Sequence, residues 1–363
     1  HINTGNGNVC YMIFPDGTTM LIDAGIINKE AFEKKNYPLT ALATYPNNSK
    51  TPAEWIKAYI EKLYYNQQIP PIDYVLITHF HSDHYGSMAE LGKLIPFKKV
   101  IDRNYPNYSF PIDLKEFLKN DNIFQSYLKV SDNPNIKFES LNVGKTSQIA
   151  LQKRPQSFPQ FSVRNVKAGA TLWSGKSDKT VQLFSAKEMT DFYKGKYNEN
   201  PLSIALKFTF GKFDYYTGGD NTGLKGFGLP KWFDVETPIS KVVGKVEVAT
   251  LNHHGNRDAT NQSFVDYMNP DVVVQQTWCS DHPGQEVYER LVYSADISSK
   301  RKIFATQIQE ETKVTYGPWF TKGYQSMFGH VIIRVLDGGE KYYVYTSESS
   351  SKITAQFGPF MSN

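Results

Sequence analysis

The chain has 363 residues, 40% hydrophobic and 21% charged, with a formal net charge of +4. That balance predicts a packed core of one large domain or two ordinary ones and excludes bulk disorder. Two cysteines, Cys10 and Cys279, exclude a disulfide scaffold and read as buried free thiols, and the lack of any run of about 18 apolar residues excludes a membrane-spanning helix.

The first predicted element is a β-hairpin. The runs Val9–Phe14 and Thr19–Asp23 flank the turn Pro15-Asp16-Gly17, and Asp23-Ala24-Gly25 ends the second strand. Thr51-Pro52-Ala53-Glu54 opens a helix, with Thr at the cap, Pro in the first turn and Glu three residues after the cap. Trp55, Ile56, Tyr59, Ile60, Leu63 and Tyr64 give that helix one apolar face. The strand Tyr74–Ile77 runs into His79-Phe80-His81-Ser82-Asp83-His84, and Ser87-Met88-Ala89-Glu90 repeats the capping pattern behind it.

From about 103 to 197 the pattern is less regular, interrupted by prolines at 106, 111, 134, 155 and 159; it reads as an insertion or lid of short helices and strands. Between Arg103 and Asn200 there are 15 Lys and Arg against nine Asp and Glu, an excess suited to steering an anionic substrate or simply to solvation. Alternation returns at Ile204–Phe210, and Gly211-Lys212 turns the chain into Phe213–Tyr216, which ends at Gly218-Gly219-Asp220. The strand Val246–Leu251 runs into Asn252-His253-His254-Gly255. A helix from about Asn261, the strand Val272–Gln275, a helix starting near Pro283 and a terminal hairpin of His330–Val335 with Lys341–Tyr345 complete an α/β layered chain.

Three imidazoles and a carboxylate within six residues, just past a strand, form the ligand set of a zinc-type cation in a catalytic site. Asp220 and the pair His253-His254 share that setting, each beside glycine at a strand end. If the three strand ends meet, the pocket holds His79, His81, Asp83, His84, Asp220 and one of His253 or His254, a set for two cations sharing a carboxylate. No histidine lies between His84 and His253.

These residues give the chain its resemblance to the metallo-β-lactamase fold superfamily of hydrolases. Four blocks carry it: Asn3–Asn8 with Asp23-Ala24-Gly25, Thr78–Gly86, Asn200–Ser203 through Asp220, and Asn252–Gly255. The double histidine before Gly255 is most similar to the branch containing the hydrolase domain of competence-type DNA-uptake channels and the teichoic acid phosphorylcholine esterase. The resemblance implies a single domain over 1–363, an αββα sandwich of mixed sheets with the insertion in mid-chain. It implies two divalent metal ions, zinc foremost, with manganese and iron sharing the ligand types. His79 and His81 would hold the first ion, with Asn200 assisting, Asp83 and His84 the second, Asp220 would bridge and His254 would be the late ligand. His253 would donate to a phosphoryl or oxyanion oxygen, and Asp83 would also orient the nucleophile.

The expected activity is therefore that of a metallo-hydrolase, a phosphoesterase or phosphodiesterase using a hydroxide bridging the two ions. A lactone, ester or amide hydrolase with the same centre is the alternative, and a catalytically inactive scaffold the second. The substrate is expected to be anionic and phosphorylated; nucleic acid is open as a substrate, though no motif specifies it. The absence of a start Met, and relatives that act at the cell envelope, suggest an extracytoplasmic protein. His282 reads as a helix cap or a substrate contact. His330 reads as bonded to backbone or lining the pocket, and Asn3–Asn8 as a plain turn or a backbone approach to the metals.

Overall fold

Strands that are apolar at every position need cover on both faces, and that need sets the architecture. A computed structural model describes residues 1–65, 67–293, 301–349 and 352–363. One sheet has the order β1 (Cys10–Ile13), β2 (Thr19–Ile22), β3 (Ile72–Leu76), β4 (Phe97–Asp102), β5 (Lys137–Ser140). A second contains β6 (Phe161–Ala168), β7 (Thr171–Trp173), β8 (Thr180–Gln182), β9 (Ala205–Phe210), β10 (Phe213–Thr217), β11 (Val248–Thr250), β12 (Val272–Gln275), β13 (Lys302–Ala305) and β14 (Tyr324–Ser326). Its spatial order is β14-β13-β12-β11-β10-β9-β6-β7-β8. A third, smaller sheet holds β15 (His330–Val335), β16 (Lys341–Ser349) and β17 (Lys352–Met361).

Alternation along each strand sorts one apolar run into two cores. Tyr74 and Leu76 of β3 join Met20, Leu206, Val248, Val274 and Phe304 between the sheets. Val75 and Ile77 turn the other way, onto Ile56, Ile60, Met88 and Leu91 of the helices Pro52–Leu63 and Met88–Leu94. In β12, Val272 and Val274 face inward while Val273 packs with Ile239, Val243, Val287 and Leu291 of the helices Glu236–Val243 and Gln285–Tyr293. Each such fully buried aliphatic side chain contributes about 1.5–3 kcal/mol. The layers are helix, sheet, sheet, helix: the mixed αββα sandwich read from the sequence. Val331, Tyr342 and Val344 of the third sheet extend the inner core.

The central insertion is woven into this frame. β5 adds to the edge of the first sheet, and β6 pairs antiparallel with β9 to carry β7 and β8. The terminal hairpin has a third strand, β17, whose alternation from Ile353 to Phe357 is interrupted by Gly358-Pro359. The two capping signatures behave differently. Thr51 and Glu54 form the reciprocal box. The Ser87 hydroxyl instead donates to Gly25 O at 3.0 Å, and Glu90 accepts from the Thr51 hydroxyl at 2.7 Å, so the second box does not form. Among the described residues no helix is long and apolar enough to cross a membrane.

Strands β2 to β5 run parallel, as do β10 to β14. Parallel strands end on a common edge, where the chain leaves the sheet and polar side chains collect. The residues after β2, β3, β10, β11 and β12 meet there.

Candidate metal centre

Asp23 follows β2 in a left-handed conformation, φ 60°, and is buried. Its Oδ1 accepts the Thr78 N–H at 2.8 Å; its Oδ2 accepts the Thr78 hydroxyl at 2.8 Å and lies 2.7 Å from His84 Nδ1. This fixes the loop after β3 and leaves His84 Nε2 facing inward, 3.1 Å from Asp220 Oδ1 and 3.5 Å from Asp83 Oδ2. The Asn3–Asn8 loop approaches by backbone, on Asp83 rather than on its carboxylate: Asn8 N–H donates to Asp83 O at 2.8 Å. A Cβ at Gly7 or Gly25 would stand 2.1 or 2.0 Å from that same oxygen, so neither position admits a side chain.

Past β11 the chain takes a strained turn. His253 and His254 both have positive φ, 46° and 56°, a conformation that costs non-glycine residues about 1–2 kcal/mol each. The turn aims the two rings at different targets. His254 Nε2 lies 3.0 Å from Asp83 Oδ2 and 3.6 Å from Asp220 Oδ2, while its Nδ1 is 2.8 Å from Gln276 O. His253 Nδ1 pairs with Asp258 Oδ1, and its Nε2 lies 3.1 Å from Asn200 Nδ2 and 3.8 Å from Asp220 Oδ2. Trp278, beyond β12, donates Nε1–H to Asp83 Oδ2 at 2.8 Å. Asp220 N–H donates to Ser203 Oγ at 3.0 Å, and Asp220 Oδ2 is 3.6 Å from His79 Nε2, which in turn lies 3.2 Å from His81 Nδ1.

Two groups result, each with ligand atoms within 4.8 Å of one another: Asp83, His84, Asp220 and His254, and His79, His81 and Asp220. They share Asp220. The electrostatics invite positive charge. Burial opposes ionisation of Asp220 and Asp83, yet the surrounding imidazoles, His84 first, hold both carboxyls well below their ordinary range. Burial lowers His84, but Asp220, Asp83 and Asp23 outweigh it and hold that ring well above its usual value. Burial and the charged His84 beside it keep His79 well below. His253 is raised to about 9: burial works against it, and the carboxylates of Asp258 and Asp220 prevail.

A metal fits these donors by a specific test. His84 Nε2 and Asp220 Oδ1 are fully buried, lie 3.1 Å apart and have no partner besides each other, so a cation bound between them would satisfy both. The outer nitrogens of His84 and His254 are anchored by Asp23 and by a backbone carbonyl, the arrangement that orients metal-ligating imidazoles. The cluster is thus consistent with a two-metal hydrolase site.

Asn200 is buried beside His253, and its Oδ1 has no partner. His282 is no helix cap: its ring stacks on His254 at 4.6 Å and 16°, with its pKa pushed down to about 3 by burial and then by His254. The helix it was expected to cap begins only at Gln285. His330 Nδ1 accepts Asn3 N–H at 3.0 Å, which ties it to backbone. Sequence reasoning missed the parts played by Asp23, Thr78, Asp258, Gln276 and Trp278. Asp23 and Thr78 lay in the blocks that carry the resemblance, and Asp258 had a local signal, an acid five residues after His253 in the same loop; Gln276 and Trp278 had neither.

Residues 3–146 match the profile of the metallo-beta-lactamase superfamily. That match supports the superfamily's fold. It ends before Asp220 and His254, whose placement rests on the geometry above. A search of curated proteins finds no match. Among solved structures the chain is similar to a CmlA β-hydroxylase mutant, with 13% identity over 76% of this chain and 44% of that one, TM-score 0.38. It is similar to Zn2+-bound PqqB from Methylobacterium extorquens, with 9% identity over 67% and 58%, TM-score 0.31. It is also similar to the short form of human tRNase Z, with 10% identity over 74% and 85%, TM-score 0.31. The chain spans less than two thirds of the first two.

Proposed function

We propose that the protein is a phosphoesterase, acting on phosphodiesters, whose centre holds two divalent cations, zinc foremost. The reading is carried by one observation, the sharing of Asp220 by two ligand groups. His79 and His81 would complete one group, Asp83, His84 and His254 the other, within a single domain spanning the chain. Cations bound there supply Lewis acidity and bring the pKa of water from about 15.7 to near 7.

The chain's own residues do the rest. Asp83, held by Trp278, would orient the attacking water. His253 is accessible, its side chain 18% exposed against 0–2% for His79, His84 and Asp220; His81 is likewise only half-buried. Kept protonated by Asp258, His253 donates to substrate oxygens as negative charge develops on them. Turning the Asn200 amide end for end would let its unpartnered Oδ1 accept the His253 Nε2–H in the absence of substrate, and an incoming substrate oxygen would displace it from that proton.

The phosphate preference is supported by a cleft of about 230 Å³ next to the His253 loop, lined by Lys225, Arg257 and Arg290. An anionic leaving group suits such a wall. The branch of competence-type uptake hydrolases and phosphorylcholine esterase, and an extracytoplasmic location with it, is the reading that agrees with Asn252-His253-His254-Gly255 and with the lack of a histidine between His84 and His253. The test is a panel of chromogenic phosphodiesters, phosphomonoesters, carboxylic esters and lactones, assayed with zinc- and manganese-loaded protein. Phosphodiester turnover abolished by Asp220→Ala is expected. Turnover of carboxylic esters alone overturns the phosphate assignment, and no turnover of any substrate overturns the hydrolase.

A further inference from the structure

The segment Gln276–His282 does more than seat the shared clusters. Gln276 O and Trp278 Nε1 hold His254 and Asp83, and the chain then makes a tight turn in which His282 N–H donates to Cys279 O at 3.1 Å. The turn gathers a thiol, a carboxylate and an imidazole, Cys279, Asp281 and His282, with ligand atoms within 4.8 Å of one another. His282 is 3% exposed and its Nδ1 has no hydrogen-bond partner. Its Nε2 lies 3.6 Å from Asp281 Oδ1, and the Asp281 carboxyl accepts from the Cys279 thiol and from Asn256 Nδ2, the latter at 3.3 Å, which ties the three side chains together. A buried imidazole nitrogen left unpaired beside a thiol and a carboxylate is an expensive arrangement unless something binds there.

We propose that Cys279, Asp281 and His282 form a third cation site, separate from the two groups around Asp220 and suited to a zinc-type ion. Thiolate, imidazole and carboxylate together are borderline-soft donors, which select zinc or cobalt over magnesium or calcium. Three protein ligands leave a further position for solvent, as in sites that exchange a ligand. Access is from Asp281, whose side chain is 23% exposed. Cys279 lies beneath residues 40–42, where Leu42 N–H donates to Trp278 O and Ser280 N–H to Thr40 O. The thiol is protonated before binding; as the sulfur–metal bond forms, its proton leaves to solvent.

The site is separable from the proposed hydrolase centre because only this one contains sulfur. The metal-free full chain, kept reduced, is titrated with cobalt(II) while the near-ultraviolet thiolate-to-cobalt charge-transfer band is followed and bound cobalt is counted. The expected result is a band in the wild type that persists in Cys10→Ser and in Asp220→Ala and vanishes in Cys279→Ser, with one cobalt fewer per chain. His282→Asn keeps the thiol and is expected to weaken cobalt binding in that band at least tenfold, which tests the site even if Cys279→Ser does not fold. A wild type without the band at three equivalents overturns the proposal. So does a band abolished by Cys10→Ser, and a band lost in Asp220→Ala, which would place the thiolate in the shared clusters.

Discussion

The sharpest test of the centre changes one atom of a residue that is not a ligand. In Asp23→Asn, Oδ1 still accepts the Thr78 N–H, and the new amide can donate to the Thr78 hydroxyl, so the backbone of the loop is kept. Asn also tolerates the left-handed φ of 60° at this position. What changes is His84. Asp23 Oδ2, 2.7 Å from His84 Nδ1, accepts a hydrogen bond from the Nδ1–H; an NH2 in its place donates, so in the neutral ring the proton must sit on Nε2, the atom facing Asp220 and Asp83. A nitrogen carrying hydrogen cannot ligate. Loss of such an orienting partner costs about 10–100-fold in metal affinity, or about 1.4–2.8 kcal/mol. The assay is zinc titration against a competing chelator, with the circular dichroism and thermal unfolding of the metal-free forms as the fold control. Wild-type affinity at every site in a folded Asp23→Asn protein would refute the assignment of His84 Nε2 as a metal donor.

Asp220→Ala removes the carboxylate common to both groups, so inductively coupled plasma analysis is expected to show loss of both of their ions, not one. His330, pushed down to about 4 by burial, gives a pH test away from the centre. Because its folded pKa is below the ordinary value of about 6.5, its contribution is present above pH 6.5 and lost as pH falls towards 4, by at most about 3 kcal/mol. His330→Asn, which keeps an acceptor for Asn3 N–H, is expected to flatten that part of the stability profile in urea unfolding; an unchanged slope would count against it. Lys167→Met leaves the carbonyls of Pro201 and Ser203 without their donor, bonds of 2.7 and 3.0 Å inside the protein. A loss of about 2–5 kcal/mol by chemical denaturation is expected, and a fully stable variant would show that Lys167 is no strut.

What the sequence disclosed and what it hid divide by range. The clustered residues themselves were legible because each lies in a stretch just past an apolar strand. Their partners were not: Asp23 meets His84 across 61 positions, His254 meets Asp83 across 171, and Trp278 meets Asp83 across 195. Pairings of that separation are made by the parallel order of the strands, which no local pattern encodes. The capping signatures make the same point at short range. Thr51-Pro52-Ala53-Glu54 and Ser87-Met88-Ala89-Glu90 have the same form, yet only the first closes, because Gly25 O comes within reach of the Ser87 hydroxyl. At His282 the adjoining Pro283 pointed to a cap, and stacking on His254 won instead.

Charge was legible only in part. The excess of Lys and Arg between Arg103 and Asn200 suited either the steering of an anion or plain solvation, and two of its 15 members do neither, being inside the protein. Arg103 binds Glu199 at 2.6 Å and lies 5.1 Å from the Phe80 ring, and Lys167 is fully buried against two carbonyls. A buried ion pair does not repay its desolvation unless it is well hydrogen-bonded, and breaking one partner is costly. Such groups therefore fix geometry rather than steer ligands. Here they brace the 199–203 segment, which places Asn200 beside His253 and Ser203 under the Asp220 backbone. The cations that line an open cleft, Lys225, Arg257 and Arg290, come from outside that interval. Attraction of a substrate depends on where charges emerge after folding, and in this protein at least two cations of the basic interval are spent as braces, Arg103 on Glu199 and Lys167 on two carbonyls.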